Sequence, residues 1–572
     1  MLGGIDYLVV GIYFLAVFAV AFFVTRKERK EANSTNYFLG GKNATWFVIG
    51  ASLFASNIGS EHLIGLSGAG ARGDFVNGQF ELLAALILLL LGWFFVPYYI
   101  KTGVYTMPEF LEKRFSKGAR NYLSIVSIVA YILTKISVTI FAGALVFTEL
   151  LGVSFWLGAI LVVVATGIYT IFGGLKAVVY TDMVQMFVLT AGSLALIYFG
   201  LDALGGWDVV TEAIAAHGDS ITTKDGVGKS DYFINLWRPN SDTEYPWTGI
   251  LFGAPILGIW YWCTDQFIVQ RVLSAKDQEN ARKGTIFAGF LKMLPIFLFV
   301  LPGVLAFALH HHDQPFLPVD ADGTISYDSA LPAMVTNYLP AGIKGLVAAG
   351  LLAALMSSLS SVFNSCSTLI TIDFYKKRNP DANEKQLVRF GQAATAVLVV
   401  VGLLWIPLMA DQVQSGGLFK YLQSIQAYIS PPIASAFIFG LLWKKLNSKG
   451  AMWSLWTGFI IGMFRFALEV LSAKGENDEP AILPLTEGGF LDWFVGINFL
   501  HFALLLFAIC SAVLIAVSLI MPSNETPDFD FSFAKTIGNS KGKSFLLDAA
   551  LSVLLILGVI GLWLLFSPIG IA

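Results

Sequence analysis

The chain has 572 residues, of which 56% are apolar and only 13% are charged, and its formal net charge is −3. A soluble domain carries about 25% charged residues, so this composition excludes a secreted enzyme and a disordered scaffold. The weak negative charge also excludes a nucleic-acid binder. Because about 20 apolar residues suffice to cross a bilayer, the composition predicts an all-α integral membrane protein.

Apolar runs separated by charged or turn-rich segments predict about fourteen transmembrane helices. In chain order they cover residues 6–25, 45–71, 78–100, 121–150, 155–173, 178–201, 247–269, 284–309, 341–373, 389–410, 418–443, 450–472, 491–521 and 545–567. The first run lacks the basic start and the cleavage site of a signal peptide, so we expect a retained helix. Most Lys and Arg residues fall in alternate loops when the N-terminus is outside. This bias predicts a multi-pass protein of the cell (inner) membrane with both termini on the extracytoplasmic side.

Two of the predicted spans are interrupted by small and polar residues. The second breaks over residues 55–60, and the seventh contains Gly253, Pro255 and Gly258. Lipid cannot satisfy the exposed backbone of such a break, which is tolerated where it lines a cavity. The two helices lie five spans apart and therefore cross in opposite directions, as a five-plus-five inverted repeat requires. Tight packing of two glycine-rich helices is the alternative explanation.

Ionisable residues inside spans are costly and usually functional. Four stand out here: His62, Glu81, Asp182 and Lys292. Each has a simpler explanation alone, since Lys292 could snorkel to the cytoplasmic surface, Glu81 could sit in water at a helix entry and Asp182 could interact with a helix dipole. Together they indicate a functional site.

A run of serines at positions 357, 358, 360 and 361 also lies inside a span. These hydroxyls can bond to a neighbouring helix, or they can supply oxygen ligands for Na⁺ together with the carbonyls of an unwound helix. The residues alone leave both possibilities open.

Several of these segments resemble the sodium/glucose cotransporter family of the solute:sodium symporter superfamily. They are Ala55-Ser56-Asn57-Ile58-Gly59-Ser60, Trp260-Tyr261-Trp262-Cys263-Thr264-Asp265-Gln266, Val269-Gln270-Arg271, Leu355-Met356-Ser357-Ser358, and Tyr421-Leu422-Gln423-Ser424-Ile425 before Pro431-Pro432. The similarity runs over residues 5–450. The chain resembles a bacterial member of this family, similar to sodium/galactose and sodium/glucose symporters.

The resemblance implies the leucine-transporter type of inverted-repeat fold with a discontinuous first helix in each repeat. The whole chain, 1–572, would then form a single transmembrane transport domain. Its parts would be an extra N-terminal helix at 5–25, a first repeat at 44–201, a second repeat at 247–443 and peripheral helices at 450–567.

The family's site residues are carried over position by position. Substrate binding is implied for Asn57, His62, Glu81, Tyr261, Trp262, Lys292 and Gln423. The gates would be an outer lid of Leu66, Phe80 and Phe419 and an inner gate at Tyr261. A sugar offers hydroxyls to polar groups and an apolar face to an aromatic ring, so these residue types suit it.

The coupling ion implied by the resemblance is Na⁺. Its ligands would be backbone oxygens of Ala55, Ile58 and Ala354 with the hydroxyls of Ser357 and Ser358. A second Na⁺ site would use Ser360, Ser361 and Asp182.

The sequence therefore predicts Na⁺-coupled symport of a monosaccharide, glucose or galactose first, by alternating access and without enzymatic activity. Gly258 and Ala84 depart from positions that contact the sugar in relatives, so inositol, sialic acid and another small polar solute remain alternatives. A membrane sensor of the same fold is a further alternative. The oligomeric state, the exact sugar and the number of ions per cycle stay open.

Overall fold

The structure is a computed structural model that describes residues 2–25, 34–59, 61–223, 226–312, 314–319, 323, 325–413, 418–472, 483–486, 488–522 and 543–571. Within these ranges, pairing of the β type is limited to isolated bridges. Nearly all other regular structure is helical. The prediction of an all-α protein is confirmed.

Eleven described helices are long and apolar enough to cross a membrane, and three shorter apolar helices accompany them. In chain order, α1 to α14 are Gly4–Thr25, Trp46–Asn57, Phe75–Thr102, Lys117–Thr148, Phe155–Ile171, Gly173–Leu204, Gly249–Thr264, Gln278–His312, Ile343–Arg378, Glu384–Leu404, Gln423–Leu442, Ser448–Ser472, Phe499–Ile520 and Ser544–Leu565. Each falls on one of the predicted spans. The three short helices include both interrupted ones, α2 and α7, because their breaks divide them.

Helix α9 forms the centre of the bundle. In its most apolar stretch 94% of the residues are buried, against 28% in α1 and 22% in α14. Helix α6 lies directly along it, since Gly192 of α6 faces Val347 and Gly350 of α9 faces Leu189. The absence of a side chain at these glycines lets the two backbones approach closely. The serine run of α9 is thereby placed in the middle of the protein.

The kink at the start of α6 depends on a backbone conformation that favours glycine. Gly174 has φ of +57°, and a β-carbon there would lie 2.5 Å from the carbonyl oxygen of Tyr37. Only glycine adopts this backbone region at low cost and leaves room for the neighbouring chain. The kink positions α6, and with it Asp182, against α9.

The last helices surround this centre. Helices α11, α12 and α13 pack on one another, while α14 packs against α3 and α8. Arg282 of α8 donates to the buried carboxylate of Asp548 in α14 at 2.8 and 2.6 Å. Both donors reach the same carboxylate oxygen, and this charge-assisted contact holds α14 against the helix that carries Lys292.

Candidate functional site

The break in α2 exposes backbone in the middle of the bundle. The helix ends at Asn57, Ile58 is extended with φ of −75° and ψ of 91°, and a π-helical turn begins at Glu61. Ser60 lies outside the described residues. Because the last carbonyls of a helix have no intrahelical partner, this end offers oxygens to a neighbour or an ion.

Helix α7 is interrupted in a different way. It passes from π-helical Gly249–Gly253 through Ala254–Gly258 to a second π-helical stretch, Ile259–Thr264. Asp265 is then extended, and its carboxylate caps the next helix by accepting from the backbone N–H of Phe267 at 3.2 Å. The two breaks are adjacent, since the side chain of Asn57 donates to the hydroxyl of Tyr261 at 2.9 Å.

A cavity of about 610 Å³, which includes the part that opens to solvent, lies against both breaks. It is lined by six of the seven residues predicted to bind substrate: Asn57, His62, Glu81, Tyr261, Trp262 and Gln423. Gly258 and Ala84, the two departures from the family pattern, also line it. The structure thus brings residues from four helices and from the segment after the α2 break to the wall of one space.

Lys292, the seventh residue, lies behind the cavity wall with its side chain fully buried. Snorkelling to the surface is therefore excluded. Its ammonium donates to Glu81 and to Asn57 in two short contacts and stands 5.3 Å from the centre of the Trp262 indole. Lys292 consequently acts on the cavity through the residues that line it.

His62 completes a buried group around Glu81. Its Nε2 lies 3.1 Å from one carboxylate oxygen of Glu81, while Lys292 holds the other. The N–H of Gly59 points to Nδ1 of His62 at 3.5 Å. His62 and Lys292 therefore hold the two carboxylate oxygens of Glu81 between them.

The three residues of the predicted outer lid have different positions. Phe80 lines the cavity beside Glu81, whereas Leu66 is fully buried in the surrounding core. The side chain of Phe419 lies outside the described part of the structure. The lid therefore stays a prediction, and of its two members with a described side chain Phe80 lines the cavity.

The serine run of α9 reaches the break in α2. The hydroxyl of Ser358 lies 3.2 Å from the carbonyl oxygen of Ser56 and 3.4 Å from that of Ile58. Ala55 and Ala354 are buried in the same region. Hydroxyl and carbonyl oxygens are the ligands that coordinate Na⁺ in unwound transporter helices, and Ser358 and the α2 break supply oxygens of this kind. The hydroxyl of Ser357, also predicted as a ligand, instead donates to Asp182.

Asp182 of α6 is the centre of a second buried cluster, which adjoins these oxygens. Its carboxylate accepts from Ser52 and Ser56 at 2.7 Å each and from Ser357 at 2.5 Å. The guanidinium of Arg271 lies 3.8 Å from the same carboxylate. Arg271 belongs to a motif that carries the family resemblance, but the sequence predicted no role for it. In the structure it is the counter-charge of Asp182.

The other two residues predicted for a second ion are divided. Ser361 contacts the Asp182 cluster, because it accepts from Arg271 and donates to Ser56 at 3.3 Å. Ser360 instead donates to the carbonyl of Ser357 in its own helix at 2.9 Å.

A second space of about 520 Å³, which also includes the part that opens to solvent, lies on the other side of Tyr261. Tyr261 and Gln426 line both cavities. Lys135 of α4 lines the second one and pairs with Asp265 at 2.8 Å. Sequence reasoning did not single out this lysine, although a charged residue inside a span is the pattern that identified Lys292. Its partner could not be deduced, because 130 residues separate the two.

The chain is similar to known sodium-coupled transporters over most of its length. A model of the sodium:solute symporter family matches residues 37–458. Sodium/glucose cotransporter 1 of Oryctolagus cuniculus is 39% identical over 560 residues, covering 95% of this chain and 83% of the relative. The sodium/myo-inositol cotransporter of Homo sapiens is 37% identical over 535 residues, covering 90% and 73%.

A solved structure of a Na⁺-coupled sialic acid symporter in a substrate-bound, outward-open state has the same fold. It superposes with a TM-score of 0.74 at 20% identity and covers 91% of this chain and 100% of its own. At this identity the likeness concerns the fold alone. It supports the leucine-transporter type of architecture predicted from the two broken helices.

Proposed function

Because this chain belongs to the sodium:solute symporter family, it is a Na⁺-coupled transporter and not an enzyme, and we propose that its cargo is a monosaccharide bound around Glu81. Glucose and galactose are the first candidates. The observation that carries the proposal is the cavity in which Asn57, Glu81 and Gln423 face the aromatic side chains of Tyr261 and Trp262.

The balance of charge in the cavity favours a neutral cargo. Among its described lining residues, Glu81 is the only carboxylate, and its charge is already compensated by Lys292. A sugar carboxylate brought beside Glu81 would be repelled, and Lys292 has its ammonium engaged. Neutral sugars therefore fit better than sialic acid.

A cyclic polyol such as myo-inositol is the second candidate. It shares the ring of hydroxyls and the neutral charge of a hexose, and the cavity is lined by Gly258 and Ala84, the two departures from the family pattern. The match to a sodium/myo-inositol cotransporter supports this alternative.

The experiment that decides between these cargoes is competition. Uptake of labelled glucose into proteoliposomes under an inward Na⁺ gradient is measured with unlabelled galactose, myo-inositol or sialic acid in excess. We expect a hexose to compete most strongly and sialic acid not to compete. Stronger competition by myo-inositol would transfer the proposal to a polyol, and competition by sialic acid would contradict the charge argument.

For the coupling ion, we propose a site formed by the backbone oxygens of Ala55, Ile58 and Ala354 and the hydroxyls of Ser357 and Ser358. The contact of Ser358 with the carbonyls of Ser56 and Ile58 supports it. Na⁺ bound there would connect the break of α2 to α9 and shape the wall that carries Asn57.

A second ion would be held near Asp182, with Ser360 and Ser361 as neighbours. Such an ion would share the carboxylate with Arg271, which already compensates its charge. Parallel measurement of labelled Na⁺ and sugar uptake gives the number of ions carried per sugar and tests this site.

The transport cycle follows from the positions of the gates. Sugar entering from outside would pass Phe80 and close the lid formed with Leu66 and Phe419. Release of Na⁺ to the cytoplasm would then free the α2 break, and Tyr261 would move aside to open the inner path.

We place the protein in the cell (inner) membrane with both termini on the extracytoplasmic side, as the distribution of Lys and Arg indicates. Within the single domain of 1–572, the repeats would cover 44–201 and 247–443. The helix at 5–25 and the helices at 450–567 would lie outside them. The two broken helices, one in each proposed repeat, support this division.

A further inference from the structure

We propose that Lys135 and Asp265 form a latch that holds Tyr261 across the path from the sugar cavity to the cytoplasm. The inference extends the proposed function, because it requires that the cavity around Glu81 opens inwards past Tyr261. It concerns a pair of charged residues for which neither the sequence motifs nor the family resemblance gave a role.

Three aromatic rings surround the ammonium of Lys135. The nitrogen lies 4.0 Å from the ring centre of Phe267, 4.4 Å from that of Tyr261 and 5.0 Å from that of Tyr131. A cation held against ring faces is attracted by their negative charge density, most strongly where water is excluded. Lys135 therefore supports the Tyr261 ring from the side away from the sugar cavity.

Asp265 fixes the other end of the latch. One of its carboxylate oxygens lies 2.8 Å from the ammonium of Lys135, and the other caps the helix that begins at Gln266. The hydroxyl of Tyr131 accepts from the same Phe267 N–H at 3.2 Å. Lys135 and Tyr131 both belong to a π-helical turn of α4, Tyr131–Ile136. The pair thus joins this turn of α4 to the break of α7.

The position of the second cavity indicates the direction in which the gate opens. Along α11, Gln423 lines only the sugar cavity, Gln426 lines both cavities and Ile429 lines only the second one. The next basic residues after α11, Lys444 and Lys445, belong to a predicted cytoplasmic loop. The second cavity therefore lies on the cytoplasmic side of Tyr261, and the Lys135–Asp265 pair must separate before α7 can move away from α4.

The test measures access to the sugar cavity from each side of the membrane. Ala84 lines that cavity and not the second one, so we introduce Ala84→Cys after replacing Cys263, Cys366 and Cys510 by Ala. A membrane-impermeant thiol reagent is applied to vesicles of either orientation. From the cytoplasmic side it reaches position 84 only when Tyr261 has moved aside.

We expect Lys135→Met to raise the rate of labelling from the cytoplasmic side about tenfold and to lower the rate from outside. A tenfold change corresponds to about 1.4 kcal/mol. Lys135→Arg keeps the charge and should restore rates close to those of the unmodified lysine. Because one broken pair is the common cause, Lys135→Met combined with Asp265→Asn should give no larger change than either substitution alone.

Equal changes of labelling on both sides would show general loosening of the protein and would overturn the latch, as would unchanged rates. If Lys135→Met fails to reach the membrane, Asp265→Asn tests the same contact. Labelling requires neither a known sugar nor a known number of ions. A failed latch would therefore leave the proposed cargo untouched, and a failed uptake experiment would leave the labelling result valid.

Discussion

The two broken helices solve the same problem by different means. The break of α2 leaves carbonyls that another helix must approach, and Ser358 does so at 3.2 and 3.4 Å. The break of α7 is capped by its own Asp265 and held to α4 by an ion pair. Free carbonyls that need a partner from another helix suit the α2 break to respond to an ion. The α7 break is closed by its own carboxylate, which suits it to serve as a gate.

We expect the largest loss of uptake from a substitution next to the α2 break, at the buried pair of Glu81 and Lys292. Glu81→Gln leaves the ammonium of Lys292 buried without its counter-charge, and losing one partner of a buried pair costs about 3–5 kcal/mol. We expect the kcat/KM for sugar uptake to fall by about 100-fold or more, as measured in proteoliposomes at saturating Na⁺.

A matched control is Glu469→Gln in α12. Glu469 also pairs with a basic residue, Arg465 at 2.9 Å, but it is 30% exposed and does not line the sugar cavity. We expect this variant to keep most of its uptake. An equal loss in both variants would mean that Glu81 supports folding and does not bind the sugar.

A smaller effect is expected for the Na⁺ requirement. Ser358→Ala removes the α9 hydroxyl that reaches the α2 carbonyls and with it one of the oxygens proposed to coordinate Na⁺. The Na⁺ concentration for half-maximal uptake should therefore rise about tenfold, while the sugar KM at saturating Na⁺ stays the same. Ser367→Ala is the control, because Ser367 of the same helix bonds to the carbonyl of Gly391 and belongs to neither proposed ion site; the ion assignment is wrong if both variants behave alike.

Tyr261→Phe tests the contact between the two breaks. It removes the hydroxyl that accepts from Asn57 at 2.9 Å but keeps the aromatic ring. Since a neutral hydrogen bond contributes about 0.5–1.5 kcal/mol, the sugar KM should rise about fivefold. Tyr122→Phe loses a hydrogen bond from α4 to the carbonyl of Leu455 in α12 and should leave the sugar KM unchanged. A raised KM in this variant would show that the effect is not specific to the cavity.

The smallest change is expected for His62→Gln. A glutamine amide can still donate to Glu81, so the contact made at 3.1 Å in this structure has a substitute. The sugar KM should change by no more than about threefold, which corresponds to less than 1 kcal/mol. His62→Leu, which has no donor, should raise KM more. If Gln and Leu gave equal losses, the hydrogen bond to Glu81 would not be the role of His62.

The helices left local patterns in the sequence, whereas most of the cavity residues were implied by the family resemblance. Apolar length identified the spans, small residues marked both breaks, and the cost of burying Glu81 and Lys292 in lipid made them conspicuous. Residues brought together by tertiary packing were harder to foresee. Arg271 with Asp182 and Lys135 with Asp265 are distant in sequence, and no periodicity connects them.

The depth of each side chain was also beyond the sequence. Leu66 and Phe80 were predicted together as a lid, yet Leu66 is enclosed by core residues while Phe80 lines the cavity. Lys292, predicted to bind the substrate, lies behind the cavity wall, and its contact with a substrate stays a prediction. How deep each side chain lies depends on tertiary packing, which apolar periodicity does not report.

The most direct test of the account is accumulation of labelled glucose in proteoliposomes with an inward Na⁺ gradient, compared with the same gradient of K⁺. One charge crossing 100 mV releases about 2.3 kcal/mol, and a tenfold Na⁺ gradient adds about 1.4 kcal/mol. Together they support roughly 500-fold accumulation per coupled ion. We predict concentrative uptake with Na⁺ that K⁺ does not support and that Glu81→Gln abolishes. Equal uptake in Na⁺ and K⁺, or full accumulation by Glu81→Gln, would contradict the account.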